Sequence, residues 1–175
     1  MLRLFVGIAL PPEIKLRLSL LCVGVPGARW VDPGNYHLTL RFIGEVNEGV
    51  ASDIDEALAA LRARRFDLAL AGVGQFGDRM LWVGVDKNPA LFHLRDKVES
   101  ALVRLGLEPE TRRYAPHVTL ARLKGASEAR LQAYLQEHAL FRAEPFAVER
   151  FSLVASYLTK SGAIYEDQAD YALNK

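Results

Sequence analysis

Apolar positions along this chain follow two periods, alternation in some segments and a three-to-four-residue recurrence in others. Residues 2–10 are an almost unbroken apolar run broken only by Arg3, which predicts a buried strand. A helix over 12–24 follows, opened by Pro12, with Leu16, Leu20 and Val23 on one face. A strand is predicted over 35–44 and a helix over 48–64, with Ile54, Leu58 and Leu61 apolar. Strands over 66–74 and 80–86 flank a Gly77-Asp78 turn. A helix over 90–105 stops at Gly106. A strand over 116–123, a helix over 127–139, and strands near 145–157 and 163–172 around a Lys160-Ser161-Gly162 turn complete the chain. Strands and helices mixed in this way, with several hairpin signals, predict an α+β fold. No stretch reads as a linker, so residues 1–175 are expected to form a single domain.

The pattern repeats. His37-Leu38-Thr39-Leu40 returns as His117-Val118-Thr119-Leu120, eighty positions later, and the two motifs use two of the four histidines in the chain. Leu4-Phe5-Val6-Gly7-Ile8 is echoed by Leu81-Trp82-Val83-Gly84-Val85, and Pro12 by Pro89, both at an offset of 77. Each half therefore reads as an apolar strand, a proline-started helix, a loop and a His-x-Thr strand. Such a duplication predicts two similar lobes related by a pseudo-two-fold axis, with the paired motifs facing each other.

In a strand, residues i and i+2 project from one face. Each motif thus sets an imidazole beside a hydroxyl and turns its apolar neighbours into the core. Two such faces opposed across a cleft offer one ligand two groups that exchange protons near neutrality, together with two hydroxyl donors. This is a kit for metal-free phosphoryl transfer, with His37 and His117 as the proton-transfer pair and Thr39 and Thr119 as donors to phosphate oxygens. Two histidines are too few for a zinc site, and the spacing of Glu45, His93 and the aspartates supplies no third ligand. His93 and His138 lie in helices outside the motif and read as surface or packing residues.

Arg41 alternates onto the face of His37 and Thr39, where it either meets a phosphate or ends the strand in solvent. Arg122 falls out of phase with His117 and reaches the site only where the strand bends. Phe5 and Trp82 match in the repeat and share a face with Gly7 and Gly84. They either stack a base on the cleft floor or pack under a helix.

Lys and Arg number 22 against 21 Asp and Glu, a net charge of +1, which argues against a broad nonspecific nucleic-acid footprint. Cys22 is the only cysteine, so an internal disulfide is excluded and a reducing, cytoplasmic setting is expected. The first apolar run is too short for a signal peptide or a membrane span. No long apolar stripe calls for a partner, which makes a monomer the expectation. No phosphate-cradling Gly-rich loop with a lysine is present, so no nucleotide cofactor is expected.

Arg3-Leu4-Phe5, Arg29-Trp30-Val31, the run from His37 to Glu45, and Pro116-His117-Val118-Thr119-Leu120-Ala121-Arg122 together resemble the 2H phosphoesterase superfamily. Within it they resemble the bacterial and archaeal RNA 2′,3′-cyclic phosphodiesterases, historically called 2′-5′ RNA ligases. The chain departs from that pattern at Arg113, where the family often has proline, and near Ala115, where it often has a basic residue. The resemblance implies a bilobal fold with a cleft between two antiparallel sheets and helices on the outer faces. It implies metal-independent opening of a terminal 2′,3′-cyclic phosphate to a 2′-phosphate, with His37 as general acid, His117 as general base, Thr39 and Thr119 on the phosphate, and Arg122 as a recurrent ligand contact. Run in reverse, the same chemistry is an ATP-independent 2′-5′ ligation. A smaller cyclic nucleotide or ADP-ribose cyclic phosphate as substrate, and a noncatalytic RNA-end binder, are the competing readings.

Overall fold

A computed structural model describes residues 1–175. The first half forms β1 (Leu2–Ala9), α1 (Pro12–Ser19), β2 (Ala28–Trp30), β3 (His37–Val46) and α2 (Glu48–Ala59). Next come β4 (Phe66–Leu68), β5 (Leu70–Phe76), β6 (Met80–Val85), α3 (Pro89–Arg104), β7 (His117–Leu123) and α4 (Glu128–Glu137). The chain closes with β8 (Phe146–Val148), β9 (Arg150–Thr159) and β10 (Gly162–Ala172). One sheet has the order β10-β9-β1-β3, a second β2-β7-β6-β5, and β4 pairs with β8 as a ribbon. All these pairings are antiparallel.

The duplication is visible in the pairing. β1 lies beside β3 in one sheet as β6 lies beside β7 in the other, and each pair carries one motif. The lobes interlock, because β2 from the first half edges the second sheet while β9 and β10 from the chain end complete the first. Leu38, Leu40, Val118 and Leu120 are at most 2 % exposed. Burying each such side chain stabilises the fold by about 1.5–3 kcal/mol. The core they join is one cluster that includes residues of both main sheets.

Local chemistry explains the helix ends. Asn47, Asn88 and Ser127 accept from the backbone N–H groups of Val50, Leu91 and Arg130, capping α2, α3 and α4. At the other end of α3, Gly106 has φ +100°. The Leu107 N–H donates to the Leu102 carbonyl and the Gly106 N–H to that of Val103, a Schellman stop that only glycine enters without strain.

The periodicity misreads three places. On α1, Ile14, Leu18 and Leu21 are buried and the predicted face of Leu16, Leu20 and Val23 is exposed. Both sets have the same spacing, and the docking of α1's end on α4, through Tyr134 Oη donating to the Leu21 carbonyl at 2.8 Å, selects between them. The segment after Ala59 is not helix, since it leads into β4. The short strand β2 carries no periodic signal of its own; pairing with β7 creates it.

One irregularity occurs at the same place in both repeats. In the first sheet Gly7 pairs with Thr39 and Val6 with Arg41, which leaves Leu40 bulged. In the second Trp82 pairs with Thr119 and Leu81 with Ala121, which leaves Leu120 bulged. A bulge adds one residue and reverses the side-chain alternation beyond it. The residues just C-terminal to each His-x-Thr therefore change face; in β3 a second bulge at Ile43, between the Phe5–Phe42 and Leu4–Gly44 pairs, restores the phase.

Candidate active site

His37 and Thr39 project from β3 beside Gly7; a methyl there would crowd the Leu38 carbonyl oxygen at 3.1 Å and the Phe5 ring at 3.3 Å, and would only touch the imidazole at 3.5 Å. His37 Nδ1 donates to the Asn35 carbonyl at 2.7 Å. That bond leaves Nε2 as the reactive nitrogen, and Nε2 meets Thr39 Oγ1 at 3.1 Å. The second motif repeats the device. His117 Nδ1 donates to the Ala115 carbonyl at 2.8 Å, again two residues upstream, which leaves its Nε2 free. Thr119 Oγ1 lies 3.5 Å from the Met80 sulfur.

Aromatic rings hold both imidazoles. Phe5 stacks on His37 with centroids 4.5 Å apart, and Tyr165 of β10 meets it edge-on at 4.9 Å. Phe76 meets His117 edge-on at 4.9 Å, with Trp82 at 6.3 Å. Burial lowers the pKa of His37 below its ordinary value, against the Asn35 carbonyl bond, which favours the cation. The charges of His117 and Lys15 push in the same direction as burial, so the two motif histidines are within electrostatic reach of each other. Tyr165 in the first lobe likewise feels Arg122 in the second. Tyr114 Oη donates to the Thr39 carbonyl at 2.8 Å and ties the loop before β7 to β3.

The bulges decide the arginines. Arg122, exposed, lies on the face of His117 and Thr119, paired across the strands with Met80 and with Arg29. The parity objection fails because the Leu120 bulge supplies the bend. The same bulge in the first repeat removes Arg41 from the cleft. Arg41 is 8 % exposed and pairs with Glu99 of α3 at 3.2 Å, and it also donates to the carbonyls of Phe42 and Glu108. Its place on the cleft face is taken by Phe42, 61 % exposed and opposite Phe5.

The aromatic pair divides. Phe5 is 3 % exposed and covered by the His37 ring, so it supports the imidazole and has no free face for a base. Trp82 is half-buried, and a Cβ on Gly74 would come within 2.3 Å of its indole. Phe42, Phe76, Tyr165, Arg3 and Arg29 escape the sequence argument. Arg3, Arg29 and Phe42 carry a signal there, within the runs that resemble the family. The bulge turns Phe42 into the cleft, and the β5–β6 pairing and the returning hairpin bring Phe76 and Tyr165 there.

A family model for the 2'-5' RNA ligase superfamily matches residues 29–158, which include both motifs. The chain belongs to this superfamily. It is similar to the RNA 2',3'-cyclic phosphodiesterase of Aeropyrum pernix, with 42 % identity over 87 % of this chain and 89 % of the relative. It is 30 % identical to that of Archaeoglobus fulgidus over 95 % of this chain and 97 % of the relative. The crystal structure of E. coli LigT complexed with 3'-AMP superimposes with a TM-score of 0.83 at 30 % identity, covering 99 % of each chain. In this 2'-5' RNA ligase superfamily member the two His-x-Thr motifs lie on β3 and β7, one in each main sheet. No group of three or more His, Cys, Asp or Glu side chains is arranged to hold a metal ion. No helix is long and apolar enough to cross a membrane.

Proposed function

We propose that this protein hydrolyses the terminal 2′,3′-cyclic phosphate of RNA to a 2′-phosphate by acid and base catalysis from its two histidines. One observation carries the reading. Both imidazoles give Nδ1–H to a carbonyl two residues upstream, so each keeps Nε2 for the cleft, on opposite lobes. Displacement at phosphorus places the attacking and leaving oxygens on opposite sides, and a pair of Nε2 atoms on opposed lobes serves both. His117 Nε2 takes a proton from water as its oxygen bonds to phosphorus. The bond from phosphorus to O3′ breaks, and His37 Nε2 delivers a proton to the departing oxygen. Thr39 and Thr119 donate to the non-bridging oxygens, and Arg122 balances the charge that accumulates there.

The lowered pKa of His37 fits an acid that is loaded by its substrate. In the free protein burial favours the neutral ring, and Thr39 Oγ1 is placed to donate to Nε2. An anionic phosphate entering beside it favours the imidazolium and raises that pKa. The reading takes residues 1–175 as one unit of two intertwined lobes, cytoplasmic and monomeric, with the reverse ligation open to it. A mononucleotide cyclic phosphate is a second substrate class, favoured by the near-neutral net charge and by the 3'-AMP complex of E. coli LigT.

The test is a product assay on a short RNA ending in a 2′,3′-cyclic phosphate, with EDTA present. Wild type is expected to yield the 2′-phosphate. His37→Ala and His117→Ala should each lose on the order of 10²–10⁴ in turnover. Full activity in the double variant would falsify the assignment.

A further inference from the structure

On the helical side of the fold, away from the His-x-Thr faces, the segment after α2, the first turns of α3 and the chain's last residues enclose a concave site of about 350 Å³. Arg62, Arg64, Arg65, His93 and Lys97 line it with Asn174, and no carboxylate is among the lining residues. In a chain whose net charge is +1, this is a concentration of one sign. Of the arginines and the lysine only Arg65 has a carboxylate within salt-bridge distance, Glu149 at 3.9 Å.

The site is built on fixed backbone. The Asn174 N–H donates to the Ala63 carbonyl at 2.8 Å, and the Arg65 N–H donates to the Asn174 carbonyl at 2.7 Å. Lys97 Nζ donates to the Arg62 carbonyl, which joins α3 to the same wall. His93 and Lys97 stand four residues apart on one face of α3. Like charges held together in a concave, rigid site repel one another and focus a positive field, and an anion relieves both effects. Guanidinium forks suit phosphate oxygens in particular.

We propose that this pocket is a second, noncatalytic site for phosphate groups, taking either a free polyphosphate or backbone phosphates of a bound RNA strand. The inference stands independently of the catalytic reading. The test is calorimetric titration of inorganic tripolyphosphate into a His37→Ala/Thr39→Ala/His117→Ala/Thr119→Ala/Arg122→Ala protein, in which the histidine variant also lacks every side chain assigned to phosphate in the catalytic cleft. The same titration is repeated with Arg62→Ala and Arg64→Ala added; both side chains are exposed and their backbone bonds are retained. Binding that weakens at least tenfold on removing the two arginines supports the proposal. Equal binding with and without them, or no binding to the histidine variant, overturns it.

A kinetic arm then separates the sources, with Arg62→Ala/Arg64→Ala in the catalytically intact protein. A raised KM for an oligonucleotide cyclic phosphate, with the KM for a mononucleotide unchanged, assigns the pocket to the RNA strand. Lost tripolyphosphate binding with both KM values unchanged assigns it to a free polyphosphate.

Discussion

Arg41 gives the sharpest test of the bulge, because sequence parity places it in the cleft and the structure places it in an ion pair. Its Nε lies 3.2 and 3.3 Å from the two Glu99 carboxylate oxygens, and two of its other donors serve the Phe42 and Glu108 carbonyls. Arg41→Met keeps most of the side-chain volume and removes all of these bonds. Breaking a buried pair from one side costs about 3–5 kcal/mol. Glu99 keeps Arg95 at 3.3 Å and the Glu110 N–H at 3.3 Å, which favours the low end of that range. The two abandoned carbonyls cost about 1 kcal/mol each, so a loss of roughly 5 kcal/mol is expected. In a domain of this size that is a fall in Tm of on the order of 10–15 °C. Arg41→Met/Glu99→Gln should recover part of the loss, since no unpaired buried charge remains. Urea unfolding measures the stability, and kcat/KM per folded molecule at low temperature measures the site. Stability near wild type together with a hundredfold loss of kcat/KM would show that Arg41 acts in the cleft and that the bulge argument is wrong.

Thr39→Val should cost a few kcal/mol at most in transition-state stabilisation, read as a fall in kcat/KM; unchanged kinetics would remove the hydroxyl from the site. The His37 ring should titrate below 6.5 by NMR in the free protein, and its pKa should rise when Tyr165→Leu uncovers it or when a nucleotide 2′-phosphate binds. Because the unfolded chain binds the His37 proton at a higher pH than the folded one, stability should fall as pH drops from 6.5 through the lowered value, and His37→Gln should flatten that slope. Gly74→Ala drives a methyl to 2.3 Å from the Trp82 ring, so the indole must move, at a cost of about 1–3 kcal/mol visible in unfolding curves and tryptophan fluorescence.

The parts of the site legible in the sequence are those that depend on local period and on repetition. Alternation fixes the shared face of His37 and Thr39, and the second copy at His117 and Thr119 separates chemistry from packing. Legibility stops at the bulges. A bulge is a property of two strands in register, and nothing in Leu40 or Leu120 alone announces one, so Arg41 and Arg122 exchange their expected places. Tyr165 is hidden for a different reason: its contact with His37 spans more than a hundred residues and exists only once the hairpin folds back. The exposed face of α1 shows a third limit, since two apolar stripes of equal spacing are distinguished only by what the helix docks against.

The return of that hairpin also sets an order of assembly. β1 is sandwiched between β3 and β9, and Leu4 pairs with Ala155, almost the length of the chain away. Closing so long a loop must precede the contacts that reward it, which slows folding relative to a chain of local contacts. During synthesis the edge of β1 that receives β9 stays unpaired until β9 emerges, a template for wrong partners meanwhile. The second lobe waits for less, since β5, β6 and β7 lie close together in sequence. The two histidines therefore become competent at different times: the cradle of His117 needs only Phe76, Trp82 and the strand that carries His117 itself, and that of His37 is finished only when Tyr165 of β10 arrives.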